Sequence, residues 1–108
     1  MKWRVETLNV TVDGELAALD SHLQGKFLHI AELLEAFGPH HVREPYVKSL
    51  GNKLWEMRLK GPSGIARAIY ITVVDRRIVV LHVFTKKTEK TPRSAIDKAL
   101  ARAKEIES

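Results

Sequence analysis

The sequence predicts an α+β domain of order β-α-(α)-β-β-β-α, and three observations carry that prediction. A leucine-rich run in the first half repeats at helical spacing. The middle of the chain alternates at period two between turns rich in Gly and Pro. A Thr91-Pro92 pair then opens a last apolar stripe. At 108 residues this is a single domain, residues 1–108, large enough to bury a core without staples.

Trp3 to Val12 is alternating and β-branched, so it contains the first strand, and Asp13-Gly14 offers an N-cap and turn. Leu16, Leu19, Leu23, Phe27, Ile30, Leu34 and Phe37 then recur in steps of three and four, one face of a helix. Ser21 and Gly25 can split that run into a helical hairpin, with Asp20 or Ser21 capping the second arm. Gly38-Pro39 stops it. His40 to Lys53 reads as a connector. Leu54 to Lys60 is a strand, Gly61-Pro62-Ser63-Gly64 a hairpin loop, and Ile65 to Val74 a second strand. A turn at Asp75-Arg76-Arg77 leads to a third strand, Ile78 to Thr85, which completes an antiparallel meander. Thr91 as N-cap and Pro92 at the first helical position begin a helix striped by Ile96, Leu100 and Ala103.

Charge divides the chain unevenly. Residues 1–46 carry four Lys and Arg against seven Asp and Glu, residues 47–93 eleven against three, and residues 94–108 three of each. A basic field confined to the strand-rich part, beside an acidic helical part, is a surface arranged to meet a polyanion. Cysteine is absent, which excludes disulfides and Cys-based zinc sites and fits a cytoplasmic setting. No apolar run has the length of a membrane span, and the start has no signal-like h-region. No Gly-rich phosphate loop, paired catalytic carboxylates or nucleophile elbow is present.

Hairpin arithmetic sharpens the basic cluster. With Gly61 to Gly64 as a four-residue loop, Arg58 faces Arg67. With Arg76-Arg77 as a two-residue loop, Arg67 faces Lys86. Three cations then stand side by side on one face, an arrangement that calls for an anion between them. Lys53, Lys60, Lys87, Lys90 and Arg93 extend the field. His82, in the third strand near this end, is the candidate proton donor. His22 and His29 flank the helical core stripe and His40-His41 lie in the connector. Trp55 and Tyr70 pair across strands on the opposite face as core aromatics. Glu56 is the one carboxylate in its strand, read as a surface charge or an orienting partner of Arg58 or Arg67.

Three stretches carry a resemblance to a known family: Leu54-Trp55-Glu56-Met57-Arg58, Arg67-Ala68-Ile69-Tyr70, and Leu81 to Pro92 with its Lys86-Lys87-Thr88-Glu89-Lys90-Thr91-Pro92 element. Together they resemble the RelE/HigB toxins of bacterial type II toxin–antitoxin modules, in particular the phage-derived HigB-like branch. The resemblance implies a RelE/ParE-like, microbial-ribonuclease-like sheet with helices on one side. It also implies cleavage of mRNA on the ribosome, in the A site of the small subunit. The 2′-hydroxyl attacks the adjacent phosphate, leaving a 2′,3′-cyclic phosphate, with no metal or cofactor. In those terms Arg67 clamps the phosphate, Lys86 or Lys87 binds it or assists proton transfer, Arg58 holds the backbone or stabilises developing charge, and His82 is on its chemistry the best candidate for the acid. RelE uses a tyrosine near its C-terminus, and no tyrosine follows Tyr70 here. The implied partners are a helix-turn-helix antitoxin, mRNA, and operator DNA through the antitoxin alone. The alternatives are a ParE-like gyrase inhibitor, a nucleic-acid-binding protein without nuclease activity, or a degenerate toxin.

Overall fold

In the computed structural model, which describes residues 2–86 and 90–106, the chain runs β1 (Arg4–Thr7), α1 (Val10–Ala17), α2 (Ser21–Phe37), β2 (Val47–Gly51), β3 (Leu54–Gly61), β4 (Gly64–Val73), β5 (Arg77–Lys86) and α3 (Arg93–Ala103). The strands form one sheet of order β1-β5-β4-β3-β2. Strands β2 to β5 are an antiparallel meander, and β1 joins the β5 edge in parallel. The predicted α+β order is therefore present, with one strand added in the connector.

Local chemistry accounts for the helices. Asn9 caps α1, its side-chain oxygen accepting from the Val12 N–H at 3.1 Å. The helix thus starts four residues before the expected Asp13-Gly14, and Val10-Thr11-Val12 form its first turn although their branching favours strand. The cap and the complete burial of Val12 outweigh that preference. Asp20 caps α2 as expected, accepting from Leu23 N–H at 2.9 Å. Gly38 ends it at φ 84°, its N–H donating to the Leu34 carbonyl at 2.9 Å. An added Cβ there would sit 3.1 Å from the Trp3 indole nitrogen. The stripe Leu23, Phe27, Ile30 and Leu34 is buried, whereas Phe37 is exposed.

The sheet separates two apolar cores. On one face Met57, Leu59, Ala66, Ala68, Tyr70, Val80 and Val83 pack with the α2 stripe. On the other, Leu54, Ile69, Val79 and Leu81 pack with Ala95 and Ala99 of α3. Helices thus cover both faces rather than the one side the resemblance implied.

Register decides which side chains meet. In the β3–β4 hairpin Arg58 lies opposite Arg67 and Lys60 opposite Ile65, as the four-residue loop predicted, while Gly61 and Gly64 themselves pair and leave Pro62-Ser63 as the turn. Ser63 at its tip donates to Asp20, fastening the hairpin to the cap of α2. The β4–β5 connection differs. Val73 pairs with Arg77, leaving Val74-Asp75-Arg76 as the loop, with Asp75 and Arg76 left-handed at φ 65° and 56°. A bulge at Leu81 then shifts the ladder between Ile69 and Tyr70. The net result places Phe84, not Lys86, opposite Arg67, and Lys86 opposite Ile65. A two-residue displacement preserves the pleat, so Lys86 stays on the face of Arg67.

Candidate functional site: a graded charged face

Three cross-strand rows follow one another along the face covered by α3. The inner row is Glu56, Ile69 and His82; the middle row is Arg58, Arg67 and Phe84; the outer row is Lys60, Ile65 and Lys86. Successive rows are two residues apart, about 7 Å along the strands. Helix α3 seals the apolar end beyond the inner row, so polarity rises towards the strand ends that close the β3–β4 hairpin.

The middle row is the surprise. Arg67 is completely buried and Glu56 is 2% exposed, with the Arg67 Nε 3.5 Å from Glu56 Oε1. The Arg67 guanidinium also donates to the carbonyl of Ala66 at 3.4 Å. The other carboxylate oxygen of Glu56 accepts from the Thr91 hydroxyl at 2.5 Å. Thr91 is therefore not the α3 cap it was expected to be: Pro92 occupies that position with no side-chain cap, and the Thr91 hydroxyl is spent on Glu56. Glu56 is correspondingly an interior group, not a surface charge. A buried carboxylate needs such partners, because desolvation otherwise disfavours its charged form.

Around this pair the cations are more open. The Arg58 side chain is 19% exposed and lies 3.6 Å from the carboxylate of Glu44. Lys60 is exposed and Lys86 half-buried at the outer row. Lys90 is exposed just before α3, and Arg93 pairs with Asp97 one turn on at 3.1 Å. Lys53 does not join them. It sits in the turn before β3 with φ 68°, while Lys60 is at the far end of that strand, about 20 Å away. Lys87 lies outside the described residues.

His82 is held by a cluster that no sequence spacing announces. Its Nδ1 is 2.9 Å from Glu15 Oε1 of α1, and its ring stacks on Phe84 with centroids 4.9 Å apart. Glu15 also accepts from the Val83 N–H at 3.0 Å and takes both ends of the Arg102 guanidinium, at 3.0 and 2.9 Å. Arg102 in turn donates to the carbonyl of Leu81, at the bulge, at 2.9 Å. Burial alone would raise the Glu15 pKa, but the hydrogen bonds from Arg102, Val83 and His82 hold it at about 2. Burial pushes the His82 imidazole below its ordinary 6.5 in spite of Glu15. At neutral pH the ring is therefore mainly uncharged and, with Nδ1–H directed at Glu15, leaves Nε2 as an acceptor. That suits taking a proton better than giving one. Tyr70, the last tyrosine of the chain, is buried in the opposite core, and burial raises its pKa further.

Comparison with known proteins gives a consistent picture. Curated proteins offer no match. Among solved structures, the chain is similar to a mutant of the Escherichia coli toxin RelE in the free state, at TM-score 0.68 and 15% identity over 94% of this chain and 98% of that one. It is also similar to a chain of the archaeal RelE–RelB complex from Pyrococcus horikoshii OT3, at TM-score 0.57 and 27% identity over 79% of this chain and 96% of that one. Residues 14–104 match the family model described as phage-derived protein Gp49-like. The chain thus belongs to the phage-derived Gp49-like family, and its fold is that of the RelE toxins.

Proposed function

We propose that this protein is the toxin of a type II toxin–antitoxin module, of the HigB-like branch, and that it cleaves mRNA on the ribosome by attack of a ribose 2′-hydroxyl on the adjacent phosphate. The observation that carries this reading is the gathering of Arg58, Lys60, Arg67 and Lys86 on one face of three adjacent strands. Lys60 and Lys86 flank the open end and hold the phosphate. Arg58 adds charge stabilisation as negative charge develops on the phosphoryl oxygens. Arg67, fixed by Glu56 and by the Ala66 carbonyl, supplies positive potential from behind rather than a direct clamp, since its side chain is buried. His82 is 8% exposed and stands two rows, about 14 Å, from Lys60 and Lys86, too far to reach a phosphate held there. The 2′-hydroxyl therefore gives its proton to water, and the leaving 5′-oxygen takes one from Lys86.

The cognate antitoxin, a helix-turn-helix protein by resemblance, covers this basic face by charge complementarity and carries any contact with operator DNA. The archaeal RelE chain of similar fold is found with a RelB partner, which supports an antitoxin for this chain as well.

Inducible expression in a bacterium with mapping of transcript 5′ ends tests the proposal. Growth arrest with new ends inside translated mRNA is the expected result. A gyrase inhibitor or a non-catalytic binding protein is the second reading, favoured by the burial of Arg67 and by the absence of any tyrosine beyond Tyr70. Arrest with intact transcripts and gyrase-linked DNA breaks would establish it instead.

A further inference from the structure

Where β2 stops pairing, a gap opens between β3 and α2. The last β2–β3 pair is Val47 with Met57, after which the Arg58 N–H donates to the Tyr46 carbonyl at 2.8 Å. Beyond that point β3 has no β2 neighbour, and a cavity of about 300 Å³ lies between its edge and α2. Lys26 and His29 of α2, Tyr46 from the connector, and Arg58 and Lys60 of β3 border it, over a floor that includes the buried Ile30. The His29 and Tyr46 rings meet edge to face at 70°, with centroids 6.2 Å apart, and Tyr46 remains 42% exposed.

We infer that this cavity is a nucleotide subsite, in which Lys26, Arg58 and Lys60 hold a phosphate and Tyr46 stacks the attached base. Three observations carry it. Three cations surround the space, and neither Lys26 nor Lys60 has an ion-pair partner among the described residues, so their charge is available to a ligand. An exposed tyrosine face, braced by His29, is the platform that unpaired bases use. The volume falls at the lower end of the range of small-ligand pockets, roughly 300–1000 Å³, and suits a single nucleotide rather than a long segment. Among the described residues, Glu44 is the carboxylate that reaches this margin. Its side chain is 66% exposed and reaches Arg58 at 3.6 Å, so an incoming phosphate displaces it into solvent at little cost.

Arg58 and Lys60 border both this cavity and the graded face, so a strand whose scissile phosphate lies at Lys86 can turn around the β3 edge and place a flanking nucleotide here. The inference rests on the RNA reading given above, but its test does not need cleavage. Full-length protein is titrated with 5′-AMP, adenosine and inorganic phosphate while backbone and side-chain NMR signals are followed. Lys26, His29 and Tyr46 are exposed, so alanine at each leaves the fold intact. The expected result is that 5′-AMP shifts the signals of Lys26, His29, Tyr46 and Lys60, and that adenosine or phosphate alone binds more weakly. Lys26→Ala and Tyr46→Ala should each weaken 5′-AMP about tenfold, the effect of losing one charged or stacking contact. Perturbation confined to Lys86 and Thr91 would overturn the subsite, as would no response at millimolar 5′-AMP. Binding of an acidic peptide with no response to 5′-AMP would overturn it too, by making the cavity a protein-docking site. If 5′-AMP binds here while transcripts stay intact in cells, the subsite stands and the cleavage reading fails.

Discussion

The two faces of the β3–β4–β5 sheet are built from the same strands and do opposite things. On the α2 face Met57, Leu59, Ala66, Ala68, Tyr70, Val80 and Val83 form a buried apolar surface, and a 17-residue helix covers it. On the α3 face an 11-residue helix covers only the end around Leu54, Ile69, Val79 and Leu81, and the rows beyond set Arg58, Arg67, Lys60 and Lys86 beside Phe84 and Ile65. What the difference teaches is that the site is made by where a helix stops. The boundary is the Glu56–Arg67 pair, which is buried like a core but charged like a surface.

Breaking that boundary should have the largest effect. Arg67→Ala leaves the Glu56 carboxylate buried without its guanidinium and should cost about 3–5 kcal/mol, measured by urea denaturation. A double change to apolar residues of similar volume, Arg67→Met with Glu56→Leu, should recover most of that stability but not activity. Loss of toxicity in Arg67→Ala alone therefore says nothing about chemistry. A wild-type denaturation midpoint for Arg67→Ala would show the pair to be an incidental contact.

Acid should act next, on the cluster that ties α1 and α3 to β5. The Glu15 pKa is depressed when folded, so its stabilisation is complete above the unfolded value near 4.5 and is lost as pH falls towards 2. The full shift corresponds to on the order of 3 kcal/mol. His82, whose folded pKa is also lowered, binds its proton more readily when unfolded, so it adds a smaller loss beginning as pH falls below 6.5. Glu15→Gln should flatten the acid limb of a stability-against-pH profile. An unchanged profile would remove Glu15 as the link.

On the α2 side, Gly38→Ala should cost about 1–3 kcal/mol, because its φ of 84° disfavours a side chain and the new Cβ would press on Trp3 at 3.1 Å. A thermal midpoint within a degree of wild type would contradict that account. At the open end, Lys60→Ala and Lys86→Ala should change stability by less than about 0.5 kcal/mol.

The faces were unequally legible in the sequence. The Asp20 cap, the α2 stripe and the Gly38-Pro39 stop predict α2 because their signals are local. The Arg58–Arg67 pairing was legible because Gly61 and Gly64 bracket a tight turn. The Lys86 position was missed because a three-residue loop and a bulge at Leu81 each move the ladder, and neither carries a sequence mark. Strand β2 escaped notice because its five residues, Val47-Lys48-Ser49-Leu50-Gly51, form a partly exposed edge with no clean alternation. Burial of Arg67 depends on Thr91 and Glu56, 35 positions apart, meeting across the fold. The Glu15–His82–Arg102 cluster likewise joins three elements through topology alone. One signal was available: Glu56 is a single carboxylate on a face of cations, and its alternation with the core residues Met57 and Leu59 puts it there.

The most direct test of the account is the rate of transcript cleavage by the Lys60→Ala/Lys86→Ala double variant, set beside its thermal midpoint. The account predicts a midpoint close to wild type with cleavage reduced by about 10² or more, because both cations stand at the open outer row where the proposed phosphate site lies. Cleavage at the wild-type rate by a folded double variant would contradict it, and would move the chemistry away from the open end of the α3 face.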